Sequence, residues 1–405
     1  MLLMKLDKVK NTVLLFVLLL ISCGNKFKSE TFKKNDHSII VGANNTSTYV
    51  SLLQEKRIGV VANQTSVIFK DDHSYTHLID SLISLNINVT TIFSPEHGFR
   101  GNKDAGESVE NGVDIKTGVP IISLHGSYKK PKKETLENLD IMIFDIQDIG
   151  VRFYTYLSTL HYIMESCAEA NIPLVILDRP NPNGQYVDGP TMEKKHRSFL
   201  GMHEIPLVHG MTLAEYAQMI NGEKWLSDSK VCELIIVSCS NYNHDKSYSL
   251  PIRPSPNIPN DLAVKLYPSL GLFEGTNINA GRGTEFQFQR YGAPFLDSTV
   301  MKFTYIPHPN FGAKNPKHND ILCFGENLQN VLVKKELTLK WLIKAYENCK
   351  DKSQFFLKKG FTKHAGTVTL QTQIEKGLTE EDIKATWIDD LEAFKKIRKK
   401  YLIYD

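Results

Sequence analysis

The sequence predicts an α/β protein with a mostly parallel sheet and helices on both faces. Three observations predict it. Short apolar runs alternate with helix-patterned stretches through the first two-thirds of the chain. The runs are continuous rather than alternating, as in strands buried between two helical layers. Each run ends in a cluster of polar or charged residues, on the rim where open α/β sheets bind ligands.

The elements follow in order. Residues Arg57–Ala62 form the first strand, ending in Asn63-Gln64-Thr65-Ser66. Thr76–Leu85 places Leu78, Ile79, Leu82 and Ile83 at helical spacing. Val89–Phe93 is the second strand and runs into Ser94-Pro95-Glu96-His97-Gly98-Phe99-Arg100-Gly101. Val119–Leu124 is the third strand; Asp140–Phe144 is the fourth and ends in Asp145-Ile146-Gln147-Asp148. Leu157–Ala170 is a helix, and Pro173–Leu177 a fifth strand ending in Asp178-Arg179-Pro180. Thr212 with Glu215 three residues on is a capping box that opens another helix. Glu233–Val237 is the sixth strand. From Pro251 to Pro309 the chain is dense in Pro, Gly and Asn, and reads as irregular chain or short strands leading into a second region. Leu337–Lys350 and Glu380–Tyr401 read as amphipathic helices, the latter with Ile383, Trp387, Leu391, Phe394 and Ile397 as a core stripe.

The 405 residues are 41% hydrophobic and 23% charged, with net charge +3. That is a globular balance, the net charge is too small to argue for nucleic acid, and no nucleic-acid partner is expected. Lys5, Lys8 and Lys10 precede the apolar run Val13–Ile21, which is too short for a membrane core of roughly 30 Å and reads as a secretory signal. Leu20-Ile21-Ser22-Cys23 resembles a bacterial lipobox. The expectation is therefore a signal peptide over 1–22, lipidation at Cys23, a polar tether over 23–38, and an exported protein held at the membrane by its lipid. Two domains are expected beyond it, 39–250 and 251–405. Cys167, Cys232, Cys239, Cys323 and Cys349 contain no CxxC and read as buried small hydrophobes. No Cys/His set has zinc-ligand spacing.

Three constellations carry candidate chemistry. Glu96 stands at a strand end between Phe93 and Phe99, where partial desolvation raises a carboxyl pKa toward that of a general acid; His97 beside it is the second candidate. The segment Asp145–Tyr156 gathers Gln147, Asp148, Arg152 and two tyrosines, side chains suited to sugar hydroxyls and sugar faces. Arg152 is spaced to pair with Asp148 on a helix surface or to bind a ligand carboxylate bidentately. The segment Leu272–Glu285 combines Glu274, Asn277, Arg282 and Glu285 with three glycines. GxxxxGK[ST], GxGxxG, GxSxG and HExxH are all absent, so no nucleotide, metal or serine-hydrolase signature is present and no cofactor is expected.

The segments Gly59–Ser66, Ser94–Gly101, Asp145–Tyr156, Leu177–Gly184, Pro254–Pro259, Tyr267–Leu270, Phe273–Asn277, Gly281–Thr284 and Gly292–Pro294 resemble the NamZ-type exo-β-N-acetylmuramidases, glycoside hydrolase family 171. The resemblance spans about residues 40–405. It implies a Rossmann-like catalytic domain followed by a smaller C-terminal α+β domain that contributes to the cleft. It also implies release of terminal N-acetylmuramic acid from non-reducing ends of peptidoglycan fragments, with Glu96 as acid/base. Asn63, His97, Arg100, Gln147, Asp148, Arg152, Asp178, Arg179, Glu274, Asn277, Arg282 and Glu285 match its motifs. The resemblance implies an arginine, Arg282 or Arg152, on the lactyl carboxylate of muramic acid.

The second catalytic carboxylate is Asp148 or Glu274, or the substrate's own acetamido group. A carboxyl gap of about 5 Å favours retention and about 6.5–9.5 Å inversion. Two rival readings stand beside this one. A sugar-binding lipoprotein without turnover needs no tuned carboxyl. An oxidoreductase needs the glycine fingerprint that is missing.

Overall fold

The computed structural model describes residues 38–72, 74–96, 98–100, 111–126, 128–357 and 359–404. Cys23, His97 and the expected signal peptide lie outside the described residues.

Apolar runs at the expected places become the strands. They are β1 (Ile58–Ala62), β2 (Val67–Phe69), β3 (Tyr75–His77), β4 (Val89–Ser94), β5 (Gly112–Val113), β6 (Pro120–Ser123), β7 (Ile141–Asp145), β8 (Leu174–Leu177) and β9 (Leu234–Val237). Seven of them form one sheet in the order β5-β6-β4-β1-β7-β8-β9. All pairs in it are parallel except the short edge strand β5. Leaving out β5, the order is that of a Rossmann sheet, so the strand direction of winding reverses between β1 and β7. Ligands of such sheets bind outside the carboxyl ends of the strands near that reversal. The fold class is therefore α/β with a mostly parallel sheet, as the apolar runs predict. β2 and β3 form a separate antiparallel hairpin.

Strand residues alternate between two cores. Val61, Met142, Phe144, Leu174 and Ile176 face one layer. Ile58, Val60, Ala62, Ile141, Ile143, Val175 and Leu177 face the other. Helix α1 (Leu78–Ser84) covers the second layer with Leu78, Ile79 and Leu82. Helix α2 (Tyr156–Ala170) covers the first with Leu157, Leu160, Ile163 and Met164. It ends on Asn171 in the left-handed region, φ +55°, a common stop where Asn is tolerated. Helix α3 (Leu213–Gly222) carries the expected capping box, with Thr212 Oγ1 accepting from the Glu215 N–H and Glu215 Oε2 from the Thr212 N–H. The five cysteines from Cys167 onward are all buried free thiols.

Beyond residue 250 the structure departs from the sequence reading in three places. The proline-dense stretch holds a regular helix, α4 (Asp261–Leu270), capped by the Asn260 side chain on the Ala263 N–H. Pro268 inside it cannot donate to the carbonyl of Val264. That carbonyl instead accepts from Asn183 Nδ2 at 3.2 Å. The expected helix Leu337–Lys350 is shorter, α5 (Lys340–Glu347). It is followed by α6 (Gly360–Ala365) and α7 (Thr369–Glu375), which apolar spacing did not reveal. The stretch Glu380–Tyr401 is two helices, α8 (Glu380–Ala385) and α9 (Ile388–Arg398). The break lies at Thr386-Trp387, whose N–H groups turn back to the carbonyls of Ile383 and Lys384 in tight i→i−3 bonds. Ile383, Trp387 and Phe394 are buried all the same.

A three-stranded antiparallel sheet, β10 (Arg290–Ala293), β11 (Phe303–Tyr305) and β12 (Cys323–Asn327), completes the C-terminal part. Phe273, Tyr291, Trp341 and Phe361 from this part share a single apolar core with α2 and the sheet. Residues 39–404 accordingly form one compact unit. Among the described residues no helix is long and apolar enough to cross a membrane.

Candidate active site

β4 ends at Ser94, and two residues later Glu96 enters a cleft. The cleft is also lined by Phe153, Tyr154, Thr155, Asn257, Tyr267, Glu274, Arg282 and His364. Its volume is about 140 Å³, small beside the ~300–1,000 Å³ of ordinary ligand pockets. Thr155, the residue before α2, donates from Oγ1 to Glu96 Oε2 at 2.8 Å and so fixes the rotation of the carboxyl.

An aromatic wall stands behind the carboxyl. Tyr154 packs edge-on against Tyr156 at 4.9 Å and Tyr267 at 5.9 Å, and Tyr267 against Phe288 at 4.7 Å. Tyr156 is oriented by Asn63, whose Nδ2 donates to the Tyr156 hydroxyl at 2.8 Å. Burial first, and then the neighbouring Glu96 charge, push the Tyr156 phenol above its ordinary range. Asn63 thus acts on the cleft through Tyr156 and does not line it.

The other charged pair comes from the chain beyond 270. Arg282 Nη1 lies 3.0 Å from Glu274 Oε2, and both side chains remain partly exposed to the cleft. Burial works to raise the Glu274 carboxyl, but Arg282, Lys317 and His364 outweigh it and hold the pKa below the usual value. Lys317 also clamps the turn carrying Glu274. Its Nζ donates to the carbonyls of Phe273, Glu274, Thr276 and Ile278 at 2.6–3.3 Å.

Of the candidates named from sequence, Glu96, Glu274 and Arg282 line this one cleft. The others have different places. Arg152 is 1% exposed. Its Nη1 donates to the carbonyls of Pro190 and Ile205, and its Nη2 to those of His364 and Ala365, at 2.7–3.1 Å. Burial pulls its pKa down to about 9. It is an internal strut and does not line the cleft, whereas Arg282 does. Arg100 turns outward to Asp114, Nη2 to Oδ2 at 2.8 Å. Asp178 accepts from the Tyr404 hydroxyl at 2.7 Å and from the Ala214 N–H at 3.1 Å, and burial raises it to about 6. Arg179 makes a two-pronged buried pair with Asp145, at 2.6 and 3.0 Å. Gln147 Nε2 is spent on the carbonyls of Asp148 and Pro180. Asn277 Nδ2 donates to the Gln354 carbonyl, and Glu285 is exposed away from the cleft.

Asp148 is buried and does not line the cleft. Its Oδ2 accepts from the Gly150 N–H at 2.7 Å, while Oδ1 has no partner among the described residues. Gly150 is required here: its φ is +77°, and a Cβ would stand 2.2 Å from Asn181 Oδ1. Burial raises Asp148 from 3.8 to about 7. His209 Nε2, 3.8 Å away, gives it no counter-charge, because burial pushes that imidazole down to about 3. The folded state therefore holds a proton on Asp148 that the unfolded chain releases near pH 4. Stability falls as pH rises from about 4 to 7, and the cost is complete above 7. Asp148→Asn is expected to gain stability relative to wild type as pH rises from 5 to 8. Urea midpoints of both proteins at the two pH values check this; a difference that does not move with pH would refute it.

The residues that sequence reading missed are Thr155, Asn257, Tyr267 and His364. Thr155, Asn257 and Tyr267 sit in motifs already noted, next to the residues chosen for their charge. His364 had no local signal. It comes from α6, and its main-chain carbonyl is held by Arg152. Among the described residues no group of three or more His, Cys, Asp or Glu side chains is placed to hold a metal ion.

The family model described as "Exo-beta-N-acetylmuramidase NamZ, N-terminal" matches residues 58–262. Its C-terminal counterpart matches residues 265–404. The chain is 40% identical over 375 residues to the peptidoglycan beta-N-acetylmuramidase NamZ of Bacillus subtilis (strain 168), covering 88% of this chain and 89% of that protein. A crystal structure of a DUF1343 family protein from Bacteroides fragilis NCTC 9343 superposes with TM-score 0.83 at 45% identity, over 91% of this chain and 99% of that one. A second protein of that family from the same organism gives TM-score 0.77 at 26% identity, with the same coverage.

Proposed function

The chain belongs to the NamZ family of exo-β-N-acetylmuramidases, and on that premise we propose that the Glu96 cleft is where it removes one terminal N-acetylmuramic acid from peptidoglycan fragments. The protein is a glycosidase, and its substrates are peptidoglycan-derived saccharides. One observation carries the assignment of the site: the cleft sets a Thr155-oriented carboxyl and an Arg282–Glu274 pair around a single small space.

The roles follow from the environments. Glu96 protonates the glycosidic oxygen as the bond to the anomeric carbon breaks. Glu274, held ionised by Arg282 and Lys317, is the second carboxylate; Asp148 is screened from the cleft and keeps its proton near neutrality. Glu274 stabilises the positive charge that develops on the sugar ring, or activates the water that attacks it. Arg282, the arginine that lines the cleft, takes the lactyl carboxylate. The aromatic wall of Tyr154 and Tyr267 excludes water and strengthens these charges. Incubation of the protein with a chromogenic β-N-acetylmuraminide tests the reading. Repeated turnover is expected, and stoichiometric binding without chromophore release would overturn it.

Arg282→Lys keeps a charge beside Glu274 but loses the planar fork. KM for a muraminide is expected to rise by roughly tenfold or more, the size of one charge-assisted hydrogen bond. The glucosaminide lacking the lactyl group is expected to change far less. Equal effects on both substrates would remove Arg282 from carboxylate recognition.

We further propose that the chain is exported and anchored through Cys23, from the basic segment, apolar run and Leu-Ile-Ser-Cys sequence at residues 5–23. In a bacterial host, Cys23→Ala is expected to abolish incorporation of labelled fatty acid and release the protein from the membrane fraction. Unchanged labelling would refute lipidation at this residue.

A further inference from the structure

An enzyme that takes a terminal sugar into a small cleft must leave the rest of the glycan outside it. That remainder is the leaving group, and it lies on the side of the acid that protonates it. Glu96 follows β4, so the neighbouring sheet edge is the place to look. β6 pairs with β4 there, Ser123 opposite Ser94, and the Leu124 N–H donates to the Ser94 carbonyl at 2.8 Å. The chain just after β6 therefore starts beside the segment that delivers Glu96.

A second cavity opens at that edge, lined by Asn111, Ser123, His125, Tyr128, Lys130 and Lys132, with a volume of about 330 Å³. It is more than twice the size of the cleft. Tyr128 is 62% exposed, with Lys132 Nζ 4.8 Å from its ring centre. Packed side chains connect the linings of the two spaces along α2. Leu200 lines the Glu96 cleft. Phe199 beside it stacks on Tyr162 of α2 at 6.2 Å, and its carbonyl accepts from Ser158 Oγ at 2.8 Å. Lys129, next to Tyr128, places Nζ 4.3 Å from the Phe199 ring centre. None of these side chains has a part in the chemistry of Glu96.

Resting on the muramidase reading above, we infer that the cavity at the β6 edge binds the leaving-group saccharide, the sugar on the reducing side of the scissile bond. The chemistry fits a pyranose. Tyr128 offers an aromatic face to its C–H surface; Asn111, Ser123 and His125 offer polar groups to its hydroxyl and amide edges. Lys132 brings positive charge to the cavity for carboxylates carried by the glycan, while Lys130 is spent on Glu165 and Glu169 at 2.8 Å each.

The test compares two substrates that share the muraminyl group and differ in the leaving group. One is a disaccharide with N-acetylmuramic acid β-linked to an N-acetylhexosamine. The other is the corresponding muraminyl fluoride, whose leaving group reaches no further than the bond itself. Tyr128→Ala is expected to lower kcat/KM about tenfold on the disaccharide, the scale of one aromatic contact, and to leave the fluoride unchanged. Phe199→Ala is expected to act in the same direction. An unchanged disaccharide rate in both variants, or equal losses on both substrates, would overturn the inference. A wild-type protein that turns over neither substrate would instead overturn the muramidase reading on which it rests.

Discussion

Glu96→Gln is expected to fold as wild type does and to lose about 10²–10⁴ in kcat on a disaccharide, the usual contribution of general acid catalysis. The amide keeps the volume of the side chain and still accepts from Thr155 Oγ1, so the local hydrogen bond survives. What it cannot do is release a proton to the departing oxygen. The loss should therefore depend on the leaving group. A sugar alkoxide needs the proton as the bond breaks; 2,4-dinitrophenolate leaves without one. The variant is expected to recover most of its rate on the dinitrophenyl muraminide. Steady-state rates on the two substrates with matched circular dichroism check this. Equal losses on both would mean that Glu96 has a role other than proton donation, and near-normal turnover of the disaccharide would end its assignment altogether.

Arg152→Ala is expected to cost about 3 kcal/mol or more of stability, because each buried carbonyl left unpaired costs roughly 1–3 kcal/mol. Four carbonyls lose their donor together: Pro190, Ile205, His364 and Ala365. Arg152→Lys is expected to recover little, since one ammonium cannot reproduce a planar fork aimed at four acceptors. The strut also ties the end of α6, which carries His364, to the segment after β7. Activity is therefore expected to fall with stability, through kcat more than KM. Urea midpoints of wild type and both variants measure the effect; a loss under 1 kcal/mol in Arg152→Ala would show that the four carbonyls find other partners.

The two residues contrast what could be read from the chain. Glu96 was legible because a buried parallel strand ends at Ser94 and any short polar segment after it must emerge at the ligand-binding rim. The same reasoning placed Asn63, Asp145, Asp148, Asp178 and Arg179 on that rim. It could not tell which of them face a ligand. A helix was hidden at Asp261–Leu270 because proline there argues against one, and the remedy is an amide from Asn183, distant in sequence. The break at Thr386-Trp387 was hidden for the opposite reason: the apolar stripe continues through it, since both short helices bury their residues in one core. His364 and Lys317 gave no local signal, as each acts on a turn far along the chain.

By itself the sequence determined the apolar runs, hence the parallel sheet, its polar rim and the delivery of Glu96 onto it. These are local properties: strand formation and burial follow from the period and composition of a few adjacent residues. Only the tertiary structure decided which rim charges are spent on one another. A buried charge must be paired or hydrogen-bonded, and the partners here are remote: Asp145 for Arg179, Tyr404 for Asp178, and carbonyls of two distant loops and of the end of α6 for Arg152. Glu96, Glu274 and Arg282 are what that pairing leaves facing the cleft.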